Sequence, residues 1–422
     1  MTQRNLKIPA PQFQLLVALL AALIPTYLIR WTVFGLPTTF WEVLLYLVTI
    51  WAVFAGGLRL RFWRTDPLRW PIAIIFVGSC IGLLVSPHFV PALGQWKAII
   101  VDGFLFYWLI RSATQANQRA ARWLTTGVLL SGSIIALEAI FLASRLGQVA
   151  SDGRHLGLFA LDPGASPNYL ALYLAPLATI ALVAAMQART RGALILLGLA
   201  ATSLSLGVVV SGSRAGLVAL VAGTALGLAW ELARRYPRFR LTIASLVGCL
   251  ALITLLTVGP SFLPKTNVDP TTANRLTSSN NVRLEIWRTT VTRIIPSGPI
   301  WGIGWANFQP LFSELTATQV NYPEYVTPYA LHPHNFLLMT WVTLGLVGLL
   351  GWLLLFIVLI KHWPRLEAWQ LPVAAATITW LIQGLVDTPF YKNDLAALWW
   401  LIATLLLATS AQTALARPPS GK

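Results

Sequence analysis

Charged residues are what this chain has least of. Asp, Glu, Lys and Arg together make up 10% of its 422 residues, while 56% are hydrophobic. At a mean hydropathy of +0.69, no ordinary core could bury so much apolar surface, which excludes a soluble protein and makes lipid the main solvent. Acids are scarcer than bases, 14 against 30. Only two cysteines occur, Cys80 and Cys249. Both fall within apolar runs and lack metal-ligand spacing, so neither a disulfide framework nor a cysteine metal site is available. A nucleotide-binding glycine loop is also missing.

What is abundant is the long apolar run. A crossing helix needs about 20 apolar residues, whereas a membrane barrel alternates polarity over segments of about 10. The runs here are continuous and predict helices near 11–29, 40–57, 70–86, 98–111, 123–143, 168–187, 193–210, 215–233, 241–258, 335–360, 371–386 and 395–412. The expected fold is all-α: a single integral membrane domain over 1–422, built as a polytopic bundle of about twelve spans. Lys and Arg in short connections mark the cytoplasmic side. With both termini inside, 19 of the 30 basic residues fall on that side, 6 on short outer connections and 5 in one long outer segment. The basic excess answers to topology and anionic lipid head groups, and nucleic acid is not expected as a partner. Trp31, Trp41, Trp70, Trp96, Trp123 and Trp363 near run ends fit interfacial anchoring. The first run is as long as a span and has no small-residue cleavage site, so it reads as span one of an inner-membrane protein and not as a removed signal.

Chemistry-bearing residues gather on the outer, periplasmic side. The long connection from about 259 to 334 breaks the short-loop rhythm. Within it Leu284, Trp287, Val291 and Ile294 or Ile295 recur at helical spacing. They predict an amphipathic helix near 281–295, capped by Asn280 or Asn281 and ended by Pro296-Ser297-Gly298-Pro299. Arg283 in its first turn joins a guanidinium to free backbone N–H groups, an arrangement suited to an anion; packing of its stem on Trp287 is the alternative. Arg214 sits in the tight break Ser211-Gly212-Ser213-Arg214-Ala215-Gly216, a positive charge against the inside bias. It marks either a functional site or a snorkelling interfacial side chain.

His332-Pro333-His334-Asn335 stands just before the tenth run. A neutral imidazole accepts a hydroxyl proton near neutral pH, so His334 is a candidate base, with a structural histidine as the alternative. Arg154, in Asp152-Gly153-Arg154-His155, adds positive charge, and Asn168 either hydrogen-bonds at the mouth of the sixth span or caps it. The paired histidines have no sequence-adjacent acid or cysteine, so no metal is expected. Two or three arginines and one histidine at a membrane surface suit a diphosphate-linked lipid and an acceptor hydroxyl. Asp102 and Glu138, acids inside apolar runs, admit a solute transporter instead.

Four motifs follow one another along the chain: Ser-Gly-Ser-Arg-Ala-Gly-Leu at 211–217, Val-Arg-Leu-Glu-Ile-Trp at 282–287, Gly-Ile-Gly-Trp-Ala-Asn-Phe at 302–308 and His-Asn-Phe-Leu at 334–337, the last followed by Leu-Gly-Leu-Val-Gly at 344–348. In this order, with the long outer segment, they resemble the O-antigen ligase and polymerase superfamily over about 150–360. The resemblance implies a metal-independent, inverting transfer of a glycan from an undecaprenyl diphosphate carrier to a glycolipid or glycan acceptor at the periplasmic face, without a cofactor. By that resemblance Arg214 and Arg283 hold the diphosphate and His334 activates the acceptor hydroxyl. Arg154, Asn168, Arg288, His332 and Asn335 are the further substrate-contacting candidates, and the choice between His334 and His332 as base stays open. The first outer loop, Arg30 to Thr39, has no acidic residue, which agrees with metal-free chemistry. A ligase is the first expectation and a polymerase of the same chemistry the second. A protein O-oligosaccharyltransferase comes third, set back by the expected lack of a long C-terminal extension.

Overall fold

The computed structural model describes residues 10–55, 63–114, 118–162, 165–239, 278–319 and 324–408. Nearly every apolar run among them is helical: α1 (Ala10–Ala22), α2 (Phe40–Phe54), α3 (Arg69–Leu84), α4 (Phe89–Trp96), α5 (Asp102–Thr114), α6 (Gln118–Phe141), α7 (Pro167–Met186), α8 (Arg191–Val210) and α9 (Arg214–Arg235). They are followed by α10 (Ser278–Thr289), α11 (Phe308–Ala317), α12 (Phe336–His362), α13 (Leu371–Gly384) and α14 (Asn393–Leu406). Helix starts are written in the sequence as Ser, Thr or Asn, whose side-chain oxygens take up first-turn N–H groups. Thr39, Ser166, Thr190, Ser213 and Asn335 do this for α2, α7, α8, α9 and α12.

Six helical stretches are long and apolar enough to cross a membrane, and α1, α2, α3 and α14 are shorter apolar helices. The expected run at 241–258 and the connection from 259 to 277 lie outside the described residues. α7 is at the centre, buried along almost its whole length, and packs on α8, α9 and α13.

Three local expectations change. The connection Arg30–Thr39 is a β-hairpin, β1 (Arg30–Val33) antiparallel to β2 (Leu36–Thr39), with Phe34 and Gly35 both at positive φ in its turn. Phe-Gly is a weak turn signal beside Asn-Gly, which is why an all-helical reading missed it. The short fourth run belongs to a longer stretch, α4 and α5 joined through a π turn at Lys97–Val101. The amphipathic helix begins earlier than residue 281 and continues past α10 through a π turn, Thr290–Ile294, to Ser297. Its Val282, Ile286 and Ile294 pack with Phe308, Phe312 and Val326 in a small core separate from the bundle's.

The glycine-rich motifs explain one another. α12 is broken at Gly345, whose φ of 68° and ψ of −174° lie in a region open essentially to glycine alone. The break frees backbone groups that no helical neighbour can satisfy, and the 299–305 segment takes them up. Ile303 N–H donates to Val342 O (2.7 Å), while Leu346 N–H donates to Ile300 O (2.8 Å). Trp341 Nε1–H adds a bond to Pro299 O (2.8 Å). Beyond it, the fully buried Trp305 inserts against α3, donating through Nε1 to Ser79 O (3.0 Å) and accepting from Ser86 Oγ at its own carbonyl (2.7 Å). Thus Gly-Ile-Gly-Trp and Leu-Gly-Leu-Val-Gly form a clamp that fixes α12, whose N-terminus carries His334.

A Cβ at Gly345 would meet Ile300 O at 2.5 Å and Trp301 C at 2.6 Å, whereas one at Gly198 would meet nothing within 4 Å. Gly345→Ala is therefore expected to destabilise the purified protein by about 2 kcal/mol or more and lower its thermal midpoint by several degrees. Gly198→Ala in α8 should leave the midpoint unchanged or raised.

Candidate functional site

Chain segments far apart in sequence meet around one side chain that sequence reading did not single out, Asp387, in the connection between α13 and α14. Its carboxylate is buried. Arg283 Nη2 lies 3.9 Å from Oδ2 and His334 Nδ1 3.7 Å from Oδ1. Asn168 Nδ2–H donates to Oδ2 (3.3 Å) and Thr388 N–H to Oδ1 (2.9 Å). Burial alone would raise the carboxyl's pKa, but His334 and the Arg283 guanidinium outweigh it and hold the group well below the usual carboxylate range.

Each partner is placed by its own element. Ser166 caps α7, which frees the Asn168 side chain from the capping role and lets it reach Asp387. Arg283 is the sixth residue of α10, which begins at Ser278, so it stands beyond the expected first turn and its free N–H groups, and Asn280 and Asn281 lie within the helix instead of capping it. Trp287, one turn on, donates through Nε1 to Pro333 O (2.8 Å), tying that helix to the His-Pro-His segment. Arg214 is the first residue of α9, and its Nη2 donates to Asn280 Oδ1 (3.3 Å) in α10. Arg154 reaches the same region because its loop is pinned to the end of α8, His155 N–H donating to Val210 O (3.0 Å). Its stem lies across Gly212, where a Cβ would sit 2.6 Å from Arg154 Cδ, and Gly212 itself has φ +60°.

The electrostatics are one-sided. Burial lowers the pKa of the half-buried Arg283, and Arg214 and Arg154 lower it further, while Asp387 pulls it back up. Asp152 pairs with Arg154 at 2.7 Å, outside the buried centre. Three guanidiniums thus lean on one another around a single buried carboxylate. An anion placed among them would relieve that repulsion.

His334 has φ +48°, unusual for a residue with a side chain. Its N–H donates to His332 Nδ1 (3.2 Å), and the two rings lie 4.1 Å apart. Its Nε2 is 3.0 Å from Tyr329 O. Because a carbonyl can only accept, the neutral ring carries its proton on Nε2 and its lone pair on Nδ1. That Nδ1 is buried and makes no hydrogen bond, with Asp387 Oδ1 beyond bonding distance. His332 is pushed down to about 3, first by burial and then by the charge of His334, so it is a poor proton acceptor that supports the strained backbone of its neighbour.

Two candidates stand elsewhere. Asn335 caps α12 with its oxygen and donates through Nδ2 to Leu385 O (2.8 Å), so protein groups occupy both ends of its amide. Arg288 is exposed; five residues beyond Arg283, it leaves the helix about 140° away. His332, His334 and Asp387 also offer ligand atoms within 4.8 Å of one another, a set chemically suited to a divalent cation. The sequence held no acid near the histidines; the fold supplies one. Arg283 at the same carboxylate opposes a second cation.

The connection bearing Asp387 is firmly seated. Trp380 Nε1–H donates to Pro389 O (2.9 Å) and Tyr391 Oη–H to Thr340 Oγ1 (2.9 Å). Phe390 packs on Trp352 with centroids 4.7 Å apart. At its far end Lys392 pairs with Asp162 (2.7 Å), which also holds Arg30 (3.0 Å).

Asp387→Asn leaves the Arg283 charge without its partner and should cost about 3 kcal/mol of stability. A depressed carboxyl contributes stability that is complete above its unfolded pKa of about 3.9 and lost only as pH falls through the folded value. The loss in thermal midpoint should therefore be constant between about pH 7.5 and 9, where His332 is neutral whether folded or unfolded.

No curated protein matches the chain. Residues 196–353 match the family model described as O-antigen ligase. That stretch runs from within α8 to within α12 and includes Arg214, Arg283, His332 and His334, while Arg154, Asn168 and Asp387 lie outside it. This match, over less than half of the chain, supports the O-antigen ligase superfamily, membrane enzymes of ligase or polymerase type.

Proposed function

We propose that the protein is a ligase-type glycosyltransferase. It moves a glycan from an undecaprenyl diphosphate carrier to a hydroxyl of a glycolipid or other surface acceptor. The observation that carries this reading is the convergence of Arg154, Arg214 and Arg283 beside Asp387 and His334. The arginines bind the diphosphate and neutralise the charge that grows on it as the sugar departs. The acceptor hydroxyl enters between His334 Nδ1 and Asp387. Its oxygen attacks the anomeric carbon from the face opposite the diphosphate, and its proton passes to Nδ1. The bond from the anomeric carbon to the diphosphate oxygen breaks, and the carrier leaves with the electron pair. Attack from the opposite face inverts the anomeric configuration. The imidazolium formed is stabilised by Asp387 on one side and the Tyr329 carbonyl on the other.

The reaction in this reading needs no metal, because Arg283 already serves the carboxylate a cation would require. The protein spans the inner membrane about twelve times, both termini face the cytoplasm, and the arginine cluster opens to the periplasmic side; the inner bias of Lys and Arg supports this orientation. Asp102 and Glu138, the residues that prompted a transporter, accept bonds from Tyr46 Oη–H (2.7 Å) and Leu158 N–H (2.9 Å) within the bundle, which favours structural roles. A polymerase differs only in taking another lipid-linked glycan as acceptor.

Transfer by purified protein is expected to fall about 10²–10³-fold in Arg214→Ala and Arg283→Ala, and at least 10²-fold in His334→Ala. Arg288→Ala should stay within a factor of about two, as expected for an exposed residue away from the site. Intact transfer in all three variants would overturn the assignment of these residues, and absence of transfer by the unaltered protein would overturn the enzyme reading. In cells lacking the protein, accumulation of complete unattached polymer identifies the ligase; loss of long chains with accumulation of single repeat units identifies the polymerase. Activity should persist after EDTA treatment, and its loss with rescue by a divalent cation would overturn the metal-free chemistry.

A further inference from the structure

The hairpin β1–β2 takes no part in the site, although Arg30 at its base holds Asp162 and so places it on the same side of the bundle. From Trp31 to Trp41 the sequence has no charged residue. Ile29, Trp31, Val33 and Phe34 are exposed, Phe34 completely. In water such a tip would be an unfavourable surface. It also continues an apolar stripe: Leu15 and Leu19 on α1, Leu23 just after it, and Phe40, Leu47 and Ile50 on α2 are exposed in the same way, as the lipid-facing sides of a membrane bundle are.

Length points in the same direction. α1 and α2 have 13 and 15 residues, a rise of only about 20 and 22 Å. Their apolar runs are bounded at the far end by Lys7 and Arg59, and the hydrocarbon layer is about 30 Å thick. The connection between the two helices therefore supplies part of the crossing, so it begins inside the bilayer. A hairpin suits that position because its strands satisfy each other's backbone groups along one edge while the interface hydrates the other. At the base, Lys97 Nζ donates to Pro37 O (2.7 Å) and pairs with Glu42 (2.5 Å). That cation lies where head-group phosphates would be, beneath an otherwise uncharged tip.

We propose that the hairpin is seated in the bilayer, lying in the interfacial layer of the leaflet on the arginine-cluster side, with Trp31 and Phe34 reaching the phospholipid acyl chains. Nothing in this placement depends on the transfer reaction.

The test uses the full chain in nanodiscs of phosphatidylethanolamine and phosphatidylglycerol, with Cys80 and Cys249 replaced by Ala. A nitroxide is attached at Phe34→Cys and, as a reference, at Glu314→Cys, an exposed position on α11 outside the bundle. Collision with oxygen, which concentrates in the acyl region, is compared with collision with a water-soluble nickel chelate. The oxygen-to-nickel ratio at position 34 should exceed that at position 314 severalfold. Equal ratios would overturn the proposal. Dipolar broadening between labels at position 34, the sign of a second copy covering the hairpin, would overturn it too. Val33→Cys repeats the measurement should Phe34→Cys fail to fold, with the same expected and overturning results.

Discussion

A single buried carboxylate, Asp387, sets the geometry on which the rest of the site depends. Alone it would be costly to ionise out of water, and the three arginines near it would repel one another. Together they reduce both penalties: the Arg283 guanidinium, and His334 once it carries a proton on Nδ1, keep Asp387 charged, and Asp387 keeps Arg283 in place against Arg154 and Arg214. Asp66 and Arg111 close their charge as a pair at 2.9 Å elsewhere in the bundle, whereas Asp387 faces His334 and Asn168 as well as Arg283.

Rigidity around that carboxylate comes from groups that touch no substrate. The break in α12 and the segment that fills it fix one wall, and the aromatic packing of Phe336, Trp352, Trp380 and Phe390 fixes the next. Phe336 follows His334 by two residues, and Phe390 follows Asp387 by three. One core therefore holds both ends of the His334–Asp387 contact. The strained φ of His334 is maintained by the same means: Asn335 is fixed at its cap, Pro333 is bonded to Trp287, and the His334 N–H is taken by His332.

Much of this was legible in the sequence, and the remainder was not for identifiable reasons. Apolar run length predicted helices because a helix in lipid must satisfy its own backbone, and each run that the structure describes falls on a helix. Arg214 stood out because its charge opposed the inside bias and Arg283 because it fell near the start of an amphipathic helix, and the structure brings both into one region. Asp387 gave no such signal. It stands in Val-Asp-Thr-Pro, a short turn between two runs, and only three-dimensional proximity distinguishes it from any polar turn residue. The signal available was indirect: acids are rare in this chain, 14 of 422 residues. Asn168 was ambiguous between cap and ligand until Ser166 filled the cap. The hairpin was hidden because its turn lacks the residues that usually announce one.

The division of labour within the chain follows from these contacts. The stretch that matches the family model holds His334 and two of the three arginines, yet neither Asp387 nor Arg154 comes from it. Arg154 and Asn168 arrive on the connection between α6 and α7 and at the start of α7, and Asp387 on the connection between α13 and α14. Each is set by packing around α7, the most buried of the six long apolar helices, whose neighbours α8, α9 and α13 deliver Gly212, Arg214 and Asp387 to the same end of the bundle. A shift of α7 along its axis by one helical rise, about 1.5 Å, would exceed the tolerance of the Asn168–Asp387 bond at 3.3 Å. The packing of α7 against α8, α9 and α13, more than any one motif, brings these dispersed polar residues together.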